Sequence, residues 1–271
     1  SACNKDFSCL KGFCPSFVSV KGAKVKRRVI DPAAALSPPP EPVLPPLEQS
    51  FGILVTGIGG TGVITIAALL GMAAHLEGKG TACLDMIGVA QKGGAVTSHL
   101  KLAPTQDGTG APRLAPGGAD LVLGCDMVVA AGRGAVPLKA KGRTRVVVNT
   151  AEQMTGAFTR DPDMQFPAAR LLADIEAAAG TVDRLDASGL AERLLGDAIG
   201  ANLMLVGYAW QQGWLPLSAE AIRRAIEING VAVAFNRRAF ELGRHMAHAP
   251  GAVAALLPAR VPPLEALDDI V

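Results

Sequence analysis

Residues 49–76 run for 28 positions without an Asp, Glu, Lys or Arg, and glycines at 57, 59, 60 and 62 divide the run. Unbroken, such a stretch is long enough to span a bilayer, which takes about 20 apolar residues. The glycines break it into a short apolar segment, a tight turn and a second apolar segment. A buried strand over residues 52–56, a glycine turn and a helix over residues 61–76 fits this pattern. That helix is apolar all round and must be covered on several sides.

The rest of the chain carries alternating strand and helix signals. Short aliphatic runs mark strands at residues 81–85, 121–125 and 145–149, with a weaker one at 181–186. Residues 95–102 alternate as a half-buried strand does, with Val96, Leu100 and Leu102 set among Ser98, His99 and Lys101. Helices are expected over residues 168–178, 190–211 and 218–246, the last broken near Gly230. Strands alternating with helices imply an α/β fold, a Rossmann-like three-layer domain with a mainly parallel sheet covered on both faces.

The 271 residues suit one such domain with appendages. With 49% hydrophobic and 18% charged residues, disordered, collagen-like and coiled-coil classes are excluded for most of the chain. Four zones follow from composition. Residues 1–28 form a Cys-rich tail, and residues 29–50 a Pro-rich linker, with seven prolines between 31 and 49 expected to adopt an extended polyproline form. Residues 51–249 hold the α/β body, and residues 250–271 are expected to be a loosely held tail or linker. The formal charge of +2 argues against a generic nucleic-acid binder, although residues 1–28 carry seven Lys/Arg against one Asp. The chain starts at Ser1 without a charged or apolar leader, so a piece of a longer cytoplasmic polypeptide is expected, with neither secretion nor a membrane anchor.

Gly57-Ile58-Gly59-Gly60-Thr61-Gly62 fits G-x-G-x-x-G between a strand and a helix. Such a turn lets backbone approach a ligand and aims unpaired N–H groups at an anion. Asp85 closes the next expected strand, where a ribose-binding carboxylate lies in dinucleotide sites. Tight packing of helix on sheet, with no nucleotide, explains the same glycines. Cys3, Cys9 and Cys14 fall as C-x5-C-x4-C before a proline. In a cytoplasmic piece, metal or cluster ligation is a better reason for concentrating thiols than disulfides, and the spacing is not that of zinc knuckles. Three ordinary thiols remain the plain alternative. Cys83 and Cys125 lie on expected core strands and read as small buried apolar residues.

The segments CNKDFSCLKGFCPSFVSV, ILVTGIGGTGVITIAALLGMAAHLEGKG, LDMIGVAQKGGAVTSHLKLA, ADLVLGCDMVVAAG and AIEINGVAVAFNRRAFELGR together resemble the fused bacterial indolepyruvate ferredoxin oxidoreductases, within the 2-oxoacid:acceptor oxidoreductase superfamily. The resemblance runs in order through residues 1–249. It implies that residues 1–28 are the tail of a thiamine-diphosphate domain and residues 51–249 a gamma-type domain. It further implies oxidative decarboxylation of an aryl 2-oxoacid to an acyl-CoA, with electrons leaving singly through a [4Fe–4S] cluster to ferredoxin. Cofactors carry the hard chemistry in such enzymes. By resemblance, Cys3, Cys9 and Cys14 are candidate cluster ligands. The turn of Gly57, Gly59, Gly60, Thr61 and Gly62 and the loop of Gln91, Lys92, Gly93 and Gly94 match the two glycine-rich signatures, which should face substrate, coenzyme A or the thiamine domain. One departure matters: no GDG is followed by an Asn pair some 25 to 30 residues later, the pattern that holds Mg2+ and thiamine diphosphate, and Gly124-Cys125-Asp126 lacks it. The chain is therefore expected to depend on a thiamine-binding remainder of the same polypeptide, in a homodimeric enzyme served by ferredoxin.

Single residues carry paired readings. Lys92 suits an anion contact, such as a CoA phosphate, or a solvated lysine on a turn. His99 reads as a satisfied or surface imidazole, and His75 as a cation favoured at a helix C-terminus. Asn149 and Thr150 suit a ligand contact or a loop start. Ile222, Ile226, Val233 and Phe240 make a core stripe, with Trp210, Trp214 and Phe235 read as packing or an interdomain contact. Lys24, Lys26, Arg27 and Arg28 suit steering of an acidic ferredoxin or a solvated face. Two rival functions remain: a free-standing NAD-dependent dehydrogenase, for which no Tyr-x-x-x-Lys set is found, and a docking module without a ligand.

Overall fold

The computed structural model describes residue 22 and residues 36–88, 94–154, 161 and 163–257. Strand β1 (Phe51–Ile58) is followed by helix α1 (Val63–Leu76), strand β2 (Gly80–Ile87), strand β3 (Ala95–Ala103), strand β4 (Leu121–Gly124) and the single turn of helix α2 (Met127–Ala130). Strand β5 (Arg145–Asn149), helix α3 (Ala168–Ala178) and strand β6 (Thr181–Leu185) complete the sheet. Helices α4 (Ala187–Leu195), α5 (Ala201–Gln211), α6 (Ala219–Asn229), α7 (Val233–His248) and α8 (Pro250–Ala255) follow.

The six strands lie in the order β2-β3-β1-β4-β5-β6. β1, β4, β5 and β6 pair in parallel, as the alternation of strand and helix signals implied. β3 alone runs antiparallel, against both β1 and β2. The cause is chain length. Only residues 88–94 join β2 to β3, and a parallel pair needs a crossover of a dozen or more residues. β3 therefore folds back on β2 and occupies the place beside β1 that the second strand holds in the doubly wound order.

Pleating divides the core between two faces. Ile53, Val55, Leu100 and Leu102 meet α1 and the helices from α4 onward. Leu54, Val122, Val146 and Val148 meet Met127 of α2 and Leu171 and Ile175 of α3. The stripe Ile222, Ile226 and Phe240 is core, with Val233 packed at its margin. α1 is less enclosed than its composition suggests: Ile64, Ala68, Met72 and Leu76, spaced four apart, are exposed.

Three expectations are corrected. The helix expected over residues 190–211 is two helices, because Gly196 adopts φ 81° and ends α4, and Asp197 then caps a short turn before α5. Cys83 is exposed whereas Cys125 is buried. β2 is the sheet edge, and Cys83 lies on α1's face beyond the helix's cover. The body also continues past Ala249, since α8 starts on Pro250 and buries Val253 completely. The break near Gly230 is present, with φ 70° at the end of α6.

Residues 37–47 adopt no regular secondary structure and lie against α5 and α7. The Arg244 guanidinium sits 4.6 Å from the Trp210 ring centre. It donates to Glu241 Oε2 at 2.9 Å and to the Pro39 carbonyl at 3.4 Å. Gln211 Nε2 donates to the Pro40 carbonyl at 2.7 Å, and Leu36, Leu44 and Leu47 pack on the core.

Candidate functional site at the glycine turn

The turn after β1 is shaped by contacts that leave no room for side chains. A Cβ on Gly57 would lie 2.6 Å from Val63 Cγ2 and 3.1 Å from Cys125 Cβ, so the glycine brings α1 and the end of β4 together. Gly62 precedes α1 at φ 90°, and no side chain caps the helix. Its first-turn N–H groups are thus left without a side-chain acceptor. The Thr61 hydroxyl donates to the Ile58 carbonyl at 2.7 Å, and Asn202 Nδ2 at the start of α5 donates to the Thr61 carbonyl at 2.8 Å.

The two glycine-rich signatures meet. Gly59 N–H donates to the Gly94 carbonyl at 2.8 Å, which fixes the end of the β2–β3 connection against the turn. Gln91, Lys92 and Gly93 lie outside the described residues, as do Cys3, Cys9, Cys14 and the basic group from Lys24 to Arg28.

Opposite the turn, β4 ends in Cys125 and Asp126. Burial, with Asp126 beside it, pushes the Cys125 thiol up to about 12, so it remains a thiol. Asp126 is 3% exposed. Its Oδ1 accepts from Val129 N–H at 2.8 Å, which caps α2, while its Oδ2 is buried and unpartnered among the described residues. Burial raises the carboxyl above its ordinary range, against the opposing pull of the Val129 and Val128 N–H groups.

Asn149 at the end of β5 forms the next part of the wall. Its Nδ2 donates to the Cys125 carbonyl at 3.2 Å and to Ser188 Oγ at 2.8 Å, while its Oδ1 accepts from Ala187 N–H at 3.1 Å. It therefore locks the start of α4 to the end of the sheet. Thr150 N–H is taken up by the Leu185 carbonyl at 2.9 Å.

Gly60, Thr61, Asp126, Asn149, Ser188 and Asn202 share one cleft of about 210 Å³. It opens at the carboxyl ends of β1, β4 and β5. The chain passes from β1 outward to β2 on one side and later to β4 on the other, and ligands of open α/β sheets bind where the strand order reverses in this way. The sequence singles out the turn and Asn149 but not Asp126, Ser188 and Asn202, which come from three separate stretches of chain. The one available signal was an Asp directly after an aliphatic strand.

Other candidates have structural roles. Asp85 accepts from the Ser98 hydroxyl at 2.5 Å. It lies on β2, with β3 between it and β1, so it is not the neighbour of the turn that a ribose-binding carboxylate must be. His99 is 2% exposed, and its Nδ1 accepts from Leu114 N–H at 3.1 Å. Burial foremost, then Arg113, lowers its pKa. It is a satisfied neutral imidazole. His75 occupies the last turn of α1, and Trp210 and Trp214 are buried in the core. Among the described residues no cluster of His, Cys, Asp or Glu could hold a metal ion, and no helix is long and apolar enough to cross a membrane.

A mostly parallel sheet, a cleft at its switch point and two joined glycine-rich segments define a Rossmann-like domain with a candidate ligand cleft. Comparison with known proteins narrows the class. Residues 52–246 match the family described as pyruvate ferredoxin/flavodoxin oxidoreductase, and the chain belongs to it. It is 30% identical over 199 residues to indolepyruvate oxidoreductase subunit IorB of Pyrococcus horikoshii, a match covering 72% of this chain and 95% of that one. The corresponding protein of Methanothermobacter thermautotrophicus is 26% identical over 197 residues, covering 72% and 96%. The fold is shared with pyruvate oxidoreductase subunit PORC of Thermotoga maritima, at TM-score 0.52 and 19% identity over 73% of this chain and 97% of that one. It is shared also with the 2-oxoglutarate:ferredoxin oxidoreductase of Magnetococcus marinus, solved with 2-oxoglutarate, coenzyme A and succinyl-CoA, at TM-score 0.54 and 15% identity. That match covers 79% of this chain and 32% of the other.

Proposed function

We propose that this chain is the gamma-type portion of an indolepyruvate-class (aryl 2-oxoacid):ferredoxin oxidoreductase, and that its cleft faces coenzyme A beside a thiamine-binding companion. The observation that carries this reading is the hydrogen bond from Gly59 to Gly94, which joins both glycine-rich segments at a switch-point cleft. In the overall reaction one oxoacid anion and one CoA give one acyl-CoA, one CO2 and one proton, and two electrons leave singly to ferredoxin. Thiamine diphosphate with Mg2+, when bound by the companion, supplies the electron sink for decarboxylation. This chain's own part is to present backbone N–H groups at the turn, to hold the cleft walls through Asn149 and Asn202, and to shield the site from water.

Cys3, Cys9 and Cys14 are proposed as [4Fe–4S] ligands in the tail, with Gln91, Lys92 and Gly93 completing the coenzyme face. The companion is the remainder of the same polypeptide in a homodimeric cytoplasmic enzyme. Support for a covering partner comes from α1 and β2, whose Ile64, Met72, Leu76 and Ile87 are 38%, 37%, 43% and 66% exposed, an apolar surface of the kind that marks interaction sites.

The test is reconstitution under anaerobic conditions. With the longer polypeptide, indolepyruvate should reduce ferredoxin only when CoA is present, and the 271-residue chain alone should do nothing. Changing Cys3, Cys9 and Cys14 singly to Ser should lower bound iron and sulfide. Undiminished cluster content in all three variants removes the ligand assignment, and CoA-independent turnover removes the reading itself.

A further inference from the structure

The cleft has an asymmetry that restricts what can occupy it. On one side lies the uncapped start of α1, a helix of 14 residues whose first-turn N–H groups favour an acceptor oxygen. On the other lies Asp126, more than nine-tenths buried, with Oδ1 committed to Val129 and Oδ2 unpartnered among the described residues. A buried acceptor without a donor is costly, and a ligand that supplies the donor recovers that cost. Ser188 Oγ already accepts from Asn149 at 2.8 Å, which leaves its own proton free to donate. Among the described residues no Lys or Arg lines the cleft, so an anion placed against Asp126 meets repulsion with no counter-charge from those residues.

We propose that Asp126 is a specificity-determining residue whose Oδ2 accepts one N–H or O–H from a neutral segment of the organic ligand seated between the glycine turn and β4. The free oxygen has lone pairs for a donor on the ligand, and Ser188, which lines the same cleft, matches an acceptor on the same segment. Two parts of coenzyme A offer this chemistry: the pantetheine arm, through an amide or its hydroxyl, and the adenosine end, through the ribose hydroxyl or the adenine amine. The inference rests on the reading that the cleft faces coenzyme A, and it assigns recognition to a donor on the ligand instead of to phosphate alone.

Calorimetric titration of the full chain with CoA, pantetheine, adenosine 3′,5′-bisphosphate and inorganic phosphate tests it. Asp126→Asn keeps an oxygen to cap α2, since Asn is a good N-cap, but turns a donor toward the ligand's donor. Asp126→Ser also caps the helix and removes the second oxygen. Both variants should melt within a few degrees of the wild type and bind CoA about 10- to 100-fold more weakly, the cost of leaving a polar partner unpaired. The fragment whose affinity falls in parallel identifies the source: pantetheine for the arm, the bisphosphate for the adenosine end. If both folded variants bind CoA as tightly as the wild type, or if inorganic phosphate displaces CoA equally from all three proteins, the inference is overturned while the coenzyme reading stands. If the wild type binds none of the four probes, the coenzyme reading is overturned and the inference goes with it.

Discussion

Lys139 is the sharpest case of a single residue whose charge conflicts with its place. It is 6% exposed, and its ammonium donates to the Ala130 carbonyl at 2.6 Å, at the end of α2. Burial lowers its pKa from 10.5 to about 8. The folded chain therefore releases this proton before the unfolded chain does, so stability should rise between about pH 8 and pH 10.5 and be lost again as pH falls through 8. The full effect is at most about 3 kcal/mol. Urea melts at pH 7.5 and 9.5 check this: Lys139→Met should flatten the difference between the two, and an unchanged difference would show that Lys139 is not its source. A lysine between Leu138 and Ala140, with Lys141 close by, carries no such signal in sequence, because its removal from water comes from the fold, where it meets the end of α2.

At the scale of elements, the crossing of α5 and α7 depends on two glycines. A Cβ on Gly207 would lie 1.9 Å from the Phe240 carbonyl oxygen, and one on Gly243 would lie 2.0 Å from the Met204 carbonyl oxygen. Each glycine admits the other helix's backbone, and this contact sets Trp210 and Phe240 with ring centres 6.1 Å apart. Overpacking a core by a methyl usually costs about 1–3 kcal/mol. Here the obstacle is backbone, which cannot rotate away, so Gly207→Ala and Gly243→Ala should each cost about 3 kcal/mol or more by denaturant melts. Alanine ordinarily stabilises a helix interior relative to glycine by about 1 kcal/mol. A gain in stability from either substitution would mean that the helices are not so closely apposed.

Across the whole molecule, the position of β3 decides between two readings that the glycine turn left open. A dinucleotide site needs its acidic residue on the strand next to β1, and that strand is β3, which presents Ser98 and Val96 on the α1 face. Asp85 is one strand farther out and is bonded to Ser98. The chain should therefore show no saturable NAD binding and no hydride transfer to any 2-oxoacid, and Asp85→Asn should leave the CoA titration unchanged. Tight NAD binding abolished by Asp85→Asn would reinstate the dehydrogenase reading.

Strand β1, the glycine turn, α1, the aliphatic strands and the break at Gly230 were determined locally. Their signals are periodicity and backbone freedom, which neighbouring residues suffice to express. The antiparallel turn of β3 was also implicit in the short connection between β2 and β3. Tertiary structure alone decided that Cys83 lies at an exposed edge, that residues 37–47 lie against Arg244, and that Asp126, Asn149, Ser188 and Asn202 close one cleft around the glycine turn. The cleft residues are far apart in the chain. Their convergence follows from the order in which parallel strands stack, and burial of the Asp126 carboxylate exists only once β4 lies beside β1 under its covering helices.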